Sequence, residues 1–235
     1  MKKLSQAIAL AGVMTAAAVP AVQAEVEVSA SAAIASAYLW RGQDLGNGAP
    51  AVSGDLTVSA SGAYAGVWAS SGDTGAGSEY DLFVGYGGEA GDLSYDISAW
   101  TYVYPGGTYD NDDDEDTAEV DARGNTFETT DIVISLGYAG GSFSYYYPVG
   151  NSNPDDYSYM TLGYGMDAFS ATVGMANSDV DKDTYTHLDL SYAATDSLSF
   201  TLSKVVAQEA DLDKGEEGQD EDLKVVVSYS LPIEL

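Results

Sequence analysis

Apolar and polar side chains alternate with a period of two along most of this chain, in runs of about 9 to 12 residues. Leu93, Tyr95, Ile97 and Ala99 alternate with Ser94, Asp96, Ser98 and Trp100. Ile132, Ile134, Leu136 and Tyr138 alternate with Asp131, Val133, Ser135 and Gly137. Thr186, Leu188, Leu190 and Tyr192 alternate with Tyr185, His187, Asp189 and Ser191, and Leu223, Val225, Val227 and Tyr229 with Lys224, Val226, Ser228 and Ser230. One face of each run is apolar and aromatic; the other is polar or small. This is the pattern of strands, and no stripe of helical period competes with it.

Turn signals divide the chain into twelve runs, at roughly 28–41, 51–61, 63–71, 79–89, 92–104, 126–139, 142–149, 156–166, 168–177, 184–194, 197–207 and 222–231. The connections alternate in length. Ser61-Gly62, Ala90-Gly91, Gly140-Gly141, Asp167 and Thr195-Asp196 are short, whereas 42–50, 72–78, 105–125, 150–155, 178–183 and 208–221 are long. Runs of this length and loops of this asymmetry predict an all-β fold: a transmembrane, antiparallel, up-and-down barrel of about twelve strands, with tight periplasmic turns and longer outside loops. A secreted β-sandwich or lipocalin-like barrel is the soluble alternative. Its outward polar face would be rich in charge, whereas the polar faces here are mostly Ser, Thr, Gly and scattered Asp, which suits a lumen. Tyr38, Trp40, Tyr64, Trp68, Tyr80, Tyr86, Tyr104, Tyr138, Tyr145, Tyr147, Tyr164, Tyr192 and Tyr229 fall near strand ends, as an interfacial girdle requires.

The amino terminus reads as an address. Lys2 and Lys3 precede an uncharged stretch from Leu4 to Val22, and Val22-Gln23-Ala24 offers small residues to a signal peptidase, so residues 1–24 are expected to be a signal peptide and 25–235 the barrel. The 235 residues include no Cys, which excludes a lipoprotein, a disulfide framework and thiolate chemistry. The expected destination is the cell outer membrane of a Gram-negative bacterium.

Charge then narrows the partners. The sequence has 8 Lys and Arg against 37 Asp and Glu, a net charge of −29, which excludes nucleic acid because phosphate backbones need basic side chains to displace counterions. Loop 105–125 holds Asp110, Asp112, Asp113, Asp114, Glu115, Asp116, Glu119 and Asp121, and loop 208–221 is comparably acidic. Such runs stay in water. An EF-hand reading of Asp112-x-Asp114-x-Asp116 fails, because Thr117 stands where Gly is needed and Arg123 where the bidentate Glu belongs. No metal site and no cofactor motif is expected.

The inner face carries the candidate chemistry. If the Ile, Leu and Val faces meet lipid, Asp55, Asp81, Asp96, Asp131 and Asp189 line the lumen with His187, Lys224 and Arg41. Five carboxylates attract cations and repel anions, or else pair into networks that plug a narrow barrel. Twelve strands lie between small barrels filled by side chains and large porins with an aqueous channel. Lys204 shares the parity of Leu198, Phe200 and Leu202, so it either snorkels at the outer surface or marks a bulge. His187, Asp189 and Ser191 share one face, but residues two apart on a strand are about 7 Å apart. A hydrolytic relay along that strand is therefore not expected, and no catalytic residues are assigned.

The segments Ser36-Ala37-Tyr38-Leu39-Trp40-Arg41-Gly42, Pro50-Ala51-Val52-Ser53-Gly54, Tyr64-Ala65-Gly66-Val67-Trp68-Ala69-Ser70-Ser71 and Glu79-Tyr80-Asp81-Leu82-Phe83-Val84-Gly85-Tyr86 together resemble the TorF-type porin family of uncharacterised proteobacterial outer-membrane proteins. Tyr102-Val103-Tyr104-Pro105-Gly106 and Val225-Val226-Val227-Ser228-Tyr229-Ser230 extend the resemblance over most of the chain. It implies a barrel that forms a pore, and it brings neither a substrate nor catalytic residues. The expected function is a passive, cation-preferring diffusion channel whose partners are outer-membrane lipid and small cationic or neutral solutes. A non-conducting structural or surface barrel and an outer-membrane hydrolase using His187 stand as alternatives.

Overall fold

The computed structural model describes residues 26–73, 77–105, 129–149, 156–212, 215 and 218–233. After β1 (Glu27–Ala35), two short strands, β2 (Leu39–Trp40) and β3 (Gln43–Asp44), pair only with each other. The chain continues through β4 (Ala51–Ala60), β5 (Ala63–Asp73), β6 (Gly77–Ala90), β7 (Leu93–Val103), β8 (Thr129–Tyr138) and β9 (Gly141–Val149). Then come β10 (Ser158–Met166), β11 (Phe169–Asn177), β12 (Tyr185–Ala193), β13 (Leu198–Gln208) and β14 (Lys224–Ile233). β1 and β4 to β14 form one closed antiparallel barrel of twelve strands, sealed where Ala32 of β1 faces Leu231 of β14. Closure leaves the sheet no free edge, so every wall strand has a ladder on both sides.

Local sequence accounts for the short end. Ser61-Gly62 and Ala139-Gly140 both place two successive residues at positive φ, 52° and 86° in the first and 50° and 84° in the second. Two-residue hairpins that match strand twist need that geometry, and glycine supplies it cheaply at the second position. These turns, with those at 91–92, 167–168 and 194–197, gather at one end; the long connections gather at the other.

The wall is inside out relative to a water-soluble barrel. Val52, Leu56, Val84, Ile97, Ile134, Leu136, Leu162, Leu190, Leu202 and Val225 are exposed on the outer face. Ser98, Thr101, Asp131, Ser144, Thr161, Asp189, Thr201 and Ser203 are buried. Tyr86, Tyr138, Tyr164, Phe169, Tyr192, Phe200 and Tyr229 are exposed close to the short turns and form a belt there. Phe169 and Tyr192 are cross-strand partners with ring centroids 5.0 Å apart, a contact worth about 0.5–1.5 kcal/mol beyond its buried area.

Three expectations need correction. The run 28–41 is not one strand: β1 stops at Ala35, Ser36 closes the ladder by donating its N–H to the Val227 carbonyl at 2.9 Å and accepting the Val227 N–H on its Oγ at 3.0 Å, and the chain then leaves the wall. Most of 72–78 is strand, since β5 runs to Asp73 and β6 begins at Gly77. Of the aromatic residues assigned to the girdle, Tyr38, Trp40, Tyr64 and Trp68 line the interior, and Tyr104 reaches inward to Glu79. Lys204 does stand on the outer face opposite Leu188, and a register shift follows it between Thr186 and His187, so outward placement and bulge occur together. The expected signal peptide, residues 1–24, and the acidic stretch 110–121 lie outside the described residues.

Candidate functional site

Period-two alternation sends every second side chain into the barrel, where they bound a cavity of about 1620 Å³. Its lining starts at the short-turn rim with Glu27, Glu89, Asp92, Asp167 and Asp196. It continues past Asp55, Asp96 and Asp189 to Glu79 and Asp81, and ends against Tyr38, Leu39, Trp40, Arg41 and Gly42. Arg41 is the single Lys or Arg among the lining residues. A low-dielectric wall around so many acids concentrates negative potential in the lumen.

The β2–β3 hairpin forms the end of this cavity. Its turn, Arg41-Gly42, has φ values of 46° and 81°, the same geometry as the two wall hairpins. Gly42 is held against His187, whose Cγ lies 2.5 Å from where a Cβ would stand. Asp44 Oδ1 and Oδ2 accept the N–H groups of Gly46 and Gly48 at 2.9 and 2.8 Å and shape the return to β4. The Tyr38 hydroxyl donates to Glu79, which also accepts from Tyr104 at 2.8 Å. Tyr185 donates to the Arg41 carbonyl at 2.9 Å.

Arg41 is the anchor. Its Nη2 lies 2.8 Å from Asp131 Oδ2, with both side chains more than nine-tenths buried, and Tyr102 donates to the same oxygen at 3.1 Å. Its guanidinium lies 4.2 Å from the Trp40 ring centroid, 4.7 Å from Tyr159, 5.3 Å from Tyr146 and 5.4 Å from Tyr157. Breaking a buried charge pair by removing one partner costs about 3–5 kcal/mol. Holding a residue with a Cβ at positive φ costs roughly 1–2 kcal/mol. Arg41 therefore sits in a strained turn, held by Asp131, the surrounding rings and the Tyr185 hydroxyl.

The other sequence-predicted residues fall as follows. Asp55 accepts from Ser31 on the middle of the wall, and Asp96 from Tyr64 at 2.7 Å nearer the short turns. Asp81 is buried with its carboxyl against that of Glu79, and no N–H or O–H donor reaches its Oδ1. His187 and Asp189 do meet: Nδ1 and Oδ1 are 3.1 Å apart, because the two side chains lean together along the strand. The 7 Å spacing of their backbone positions was therefore a poor guide to the side chains. On the other side of the ring, Nε2 and the Tyr159 hydroxyl are 2.8 Å apart. Ser191 instead pairs with Thr201 at 2.9 Å, away from the imidazole. Lys224 leaves the cavity: its Nζ bonds the carbonyls of Asp220 and Asp222 at 2.8 and 3.2 Å and lies 3.3 Å from the Asp220 carboxylate. The Asp222 N–H, with help from Lys224, holds the Asp220 carboxyl below the usual carboxylate range.

Sequence reasoning passed over two sets of lumen residues. Glu79 shares the parity of Asp81, and Glu27 and Glu89 likewise face inward near the rim; the same alternation marks all three. Phe83, Trp100, Tyr102, Tyr146 and Tyr159 also alternate in phase with inner Ser and Thr, but large rings suit a girdle as well as a filled lumen. Phe83 and Trp100 stack at 4.3 Å. Inner-wall glycines make room for such rings, Gly66 beneath Phe83 and Gly174 beneath His187 and Tyr159.

Fold and site together define a closed twelve-stranded antiparallel barrel with an acidic lumen and an inward hairpin. Residues 20–214 match the family described as a bacterial protein of unknown function (Gcw_chp), and the chain belongs to that family. Among solved structures, outer membrane phospholipase A from Escherichia coli is similar over 88% of this chain and 90% of that one, at 11% identity and a TM-score of 0.41. An outer membrane channel from Pseudomonas putida F1 is similar over 92% of this chain and 97% of that one, at 12% identity and a TM-score of 0.42. No curated protein matches the sequence.

Proposed function

We propose that this protein is an outer-membrane barrel of the TorF porin type that works as a passive, cation-preferring diffusion channel for small cationic or neutral solutes. The observation that carries this reading is an acidic cavity enclosed by a wall whose outer face is apolar. Such a surface is a liability in water but is solvated by lipid, and a closed barrel can cross lipid with its backbone satisfied. Inside, Asp55, Asp96 and Asp189 lower the energy of a cation and raise that of an anion. Arg41 and its hairpin form the constriction. No catalytic step belongs to this reading: Tyr159, not a serine, occupies His187 Nε2.

The test is ionic current through the refolded protein in a planar bilayer, with the reversal potential measured across a KCl gradient. A cation-selective potential that moves toward zero in Asp55→Asn/Asp96→Asn is the expected result. Selectivity unchanged by both substitutions would remove these residues from the conduction path. A second reading, a non-conducting structural barrel, is favoured by the seating of the hairpin across the lumen. A folded, inserted barrel that stays silent at all voltages would support it.

A further inference from the structure

The wall builds a cation box independently of the hairpin that fills it. Tyr146 on β9, Tyr159 on β10 and Tyr157 just before β10 surround one point, and Asp131 on β8 adds a carboxylate. Only Trp40 arrives with the hairpin. Without Arg41, three aromatic rings and an acid would still face the lumen. Aromatic faces with a carboxylate bind a planar guanidinium through stacking, cation–π attraction and charge-assisted hydrogen bonds, and bind a compact hydrated ion such as K⁺ less well.

A second observation points to a ligand at the same place. Asp81 stands opposite Tyr102, whose hydroxyl reaches Asp131; its carboxyl lies against that of Glu79, and no N–H or O–H donor reaches its buried Oδ1. A buried carboxylate oxygen left unpaired is costly. Arg41 spends its charged contact on Asp131, so the Asp81–Glu79 carboxyl pair stands beside the box.

We propose that this box is a binding site for guanidinium-bearing solutes, and that Arg41 is its tethered occupant. A solute that takes the place of the Arg41 guanidinium releases the hairpin tip from Asp131 and loosens the long-loop end of the lumen, where the hairpin then keeps its Tyr185 and Glu79 hydrogen bonds and its packing on His187. The inference deepens the channel reading, and its effect on current rests on that reading; the binding step does not.

The full chain, refolded in detergent, is titrated with methylguanidinium chloride against NaCl of equal ionic strength, with heat and tryptophan fluorescence as readouts. Removing the tethered competitor in Arg41→Ala is expected to tighten binding by about ten-fold or more. Adding Asp131→Asn to that variant is expected to abolish it. Arg41→Gln replaces Arg41→Ala should the latter not fold. Equal affinity in wild type, Arg41→Ala and the double variant overturns the proposal. In bilayers, methylguanidinium is expected to raise the current of wild type and to leave that of Arg41→Ala unchanged. Binding with no current in either protein keeps the site and overturns the channel reading. Current without methylguanidinium binding does the reverse.

Discussion

The two halves of the lumen are built from one alternating pattern but filled differently. Toward the short turns, the inner row is mostly small, Ser59, Ser94, Ser135, Ser142, Gly163 and Ser170, with Asp96 and Tyr64 among them, and the cavity runs on between them to the rim. Toward the long loops, it is Asp81, Tyr102, Asp131, Tyr146, Tyr159 and His187, and a hairpin occupies the space between them. The backbone of the wall is the same in both. Side-chain volume and one inserted segment decide whether a twelve-stranded barrel is open or filled, as strand number alone would not.

Four measurements would break or sharpen this contrast. The largest effect is expected from Gly42→Val, which adds a β-branched side chain at positive φ and against His187. Loss of seating of about 2–4 kcal/mol should release the hairpin and raise single-channel current; an unchanged current would show that the hairpin does not limit flow. Next, Trp100→Ala removes the ring stacked on Phe83 and should lower unfolding stability in urea by about 3 kcal/mol. Ser135→Ala, among the small residues of the open half, should change it by about 1 kcal/mol or less. Third, Tyr64→Phe removes one of the hydrogen bonds to Asp96 without changing charge, the contact with Ser98 remaining. It should cost about 1 kcal/mol and leave the sign of the reversal potential intact. The smallest effect is expected from salt alone: as the Debye length falls from about 10 Å at 0.1 M to about 3 Å at 1 M, cation preference should decline, most steeply if the exposed acids of the rim set it.

Much of the wall was legible in the sequence because two-residue periodicity and turn chemistry are local. Residues such as Ile134 and Ser135 declare their faces through immediate neighbours, and Ser61-Gly62 declares its turn. The inward hairpin was not legible for the opposite reason. Tyr38 and Trp40 continue the alternation of β1, so nothing local separates a strand that goes on from a chain that turns inside. Arg41-Gly42 also lacks the Asn-Gly or Asp-Gly form that marks such a turn. What fixes it is Asp131, ninety residues later, with Tyr146, Tyr157 and Tyr159. The faces of Asp55, Asp81, Asp96 and Asp189 could be read from parity, whereas the departure of Lys224 toward Asp220 depends on how a loop folds back.

The hairpin hangs from β1, the strand that meets β14 to complete the ring, and its tip is fastened to β8, β9 and β10 on the far side. It is therefore a tie rod across the cylinder. Flattening the circle would have to stretch or break it, so it resists ovalisation that ladder hydrogen bonds alone permit. It also imposes an order on construction: the rod cannot be bolted down until the middle of the chain is in place, so a barrel still missing those strands keeps its first loop loose.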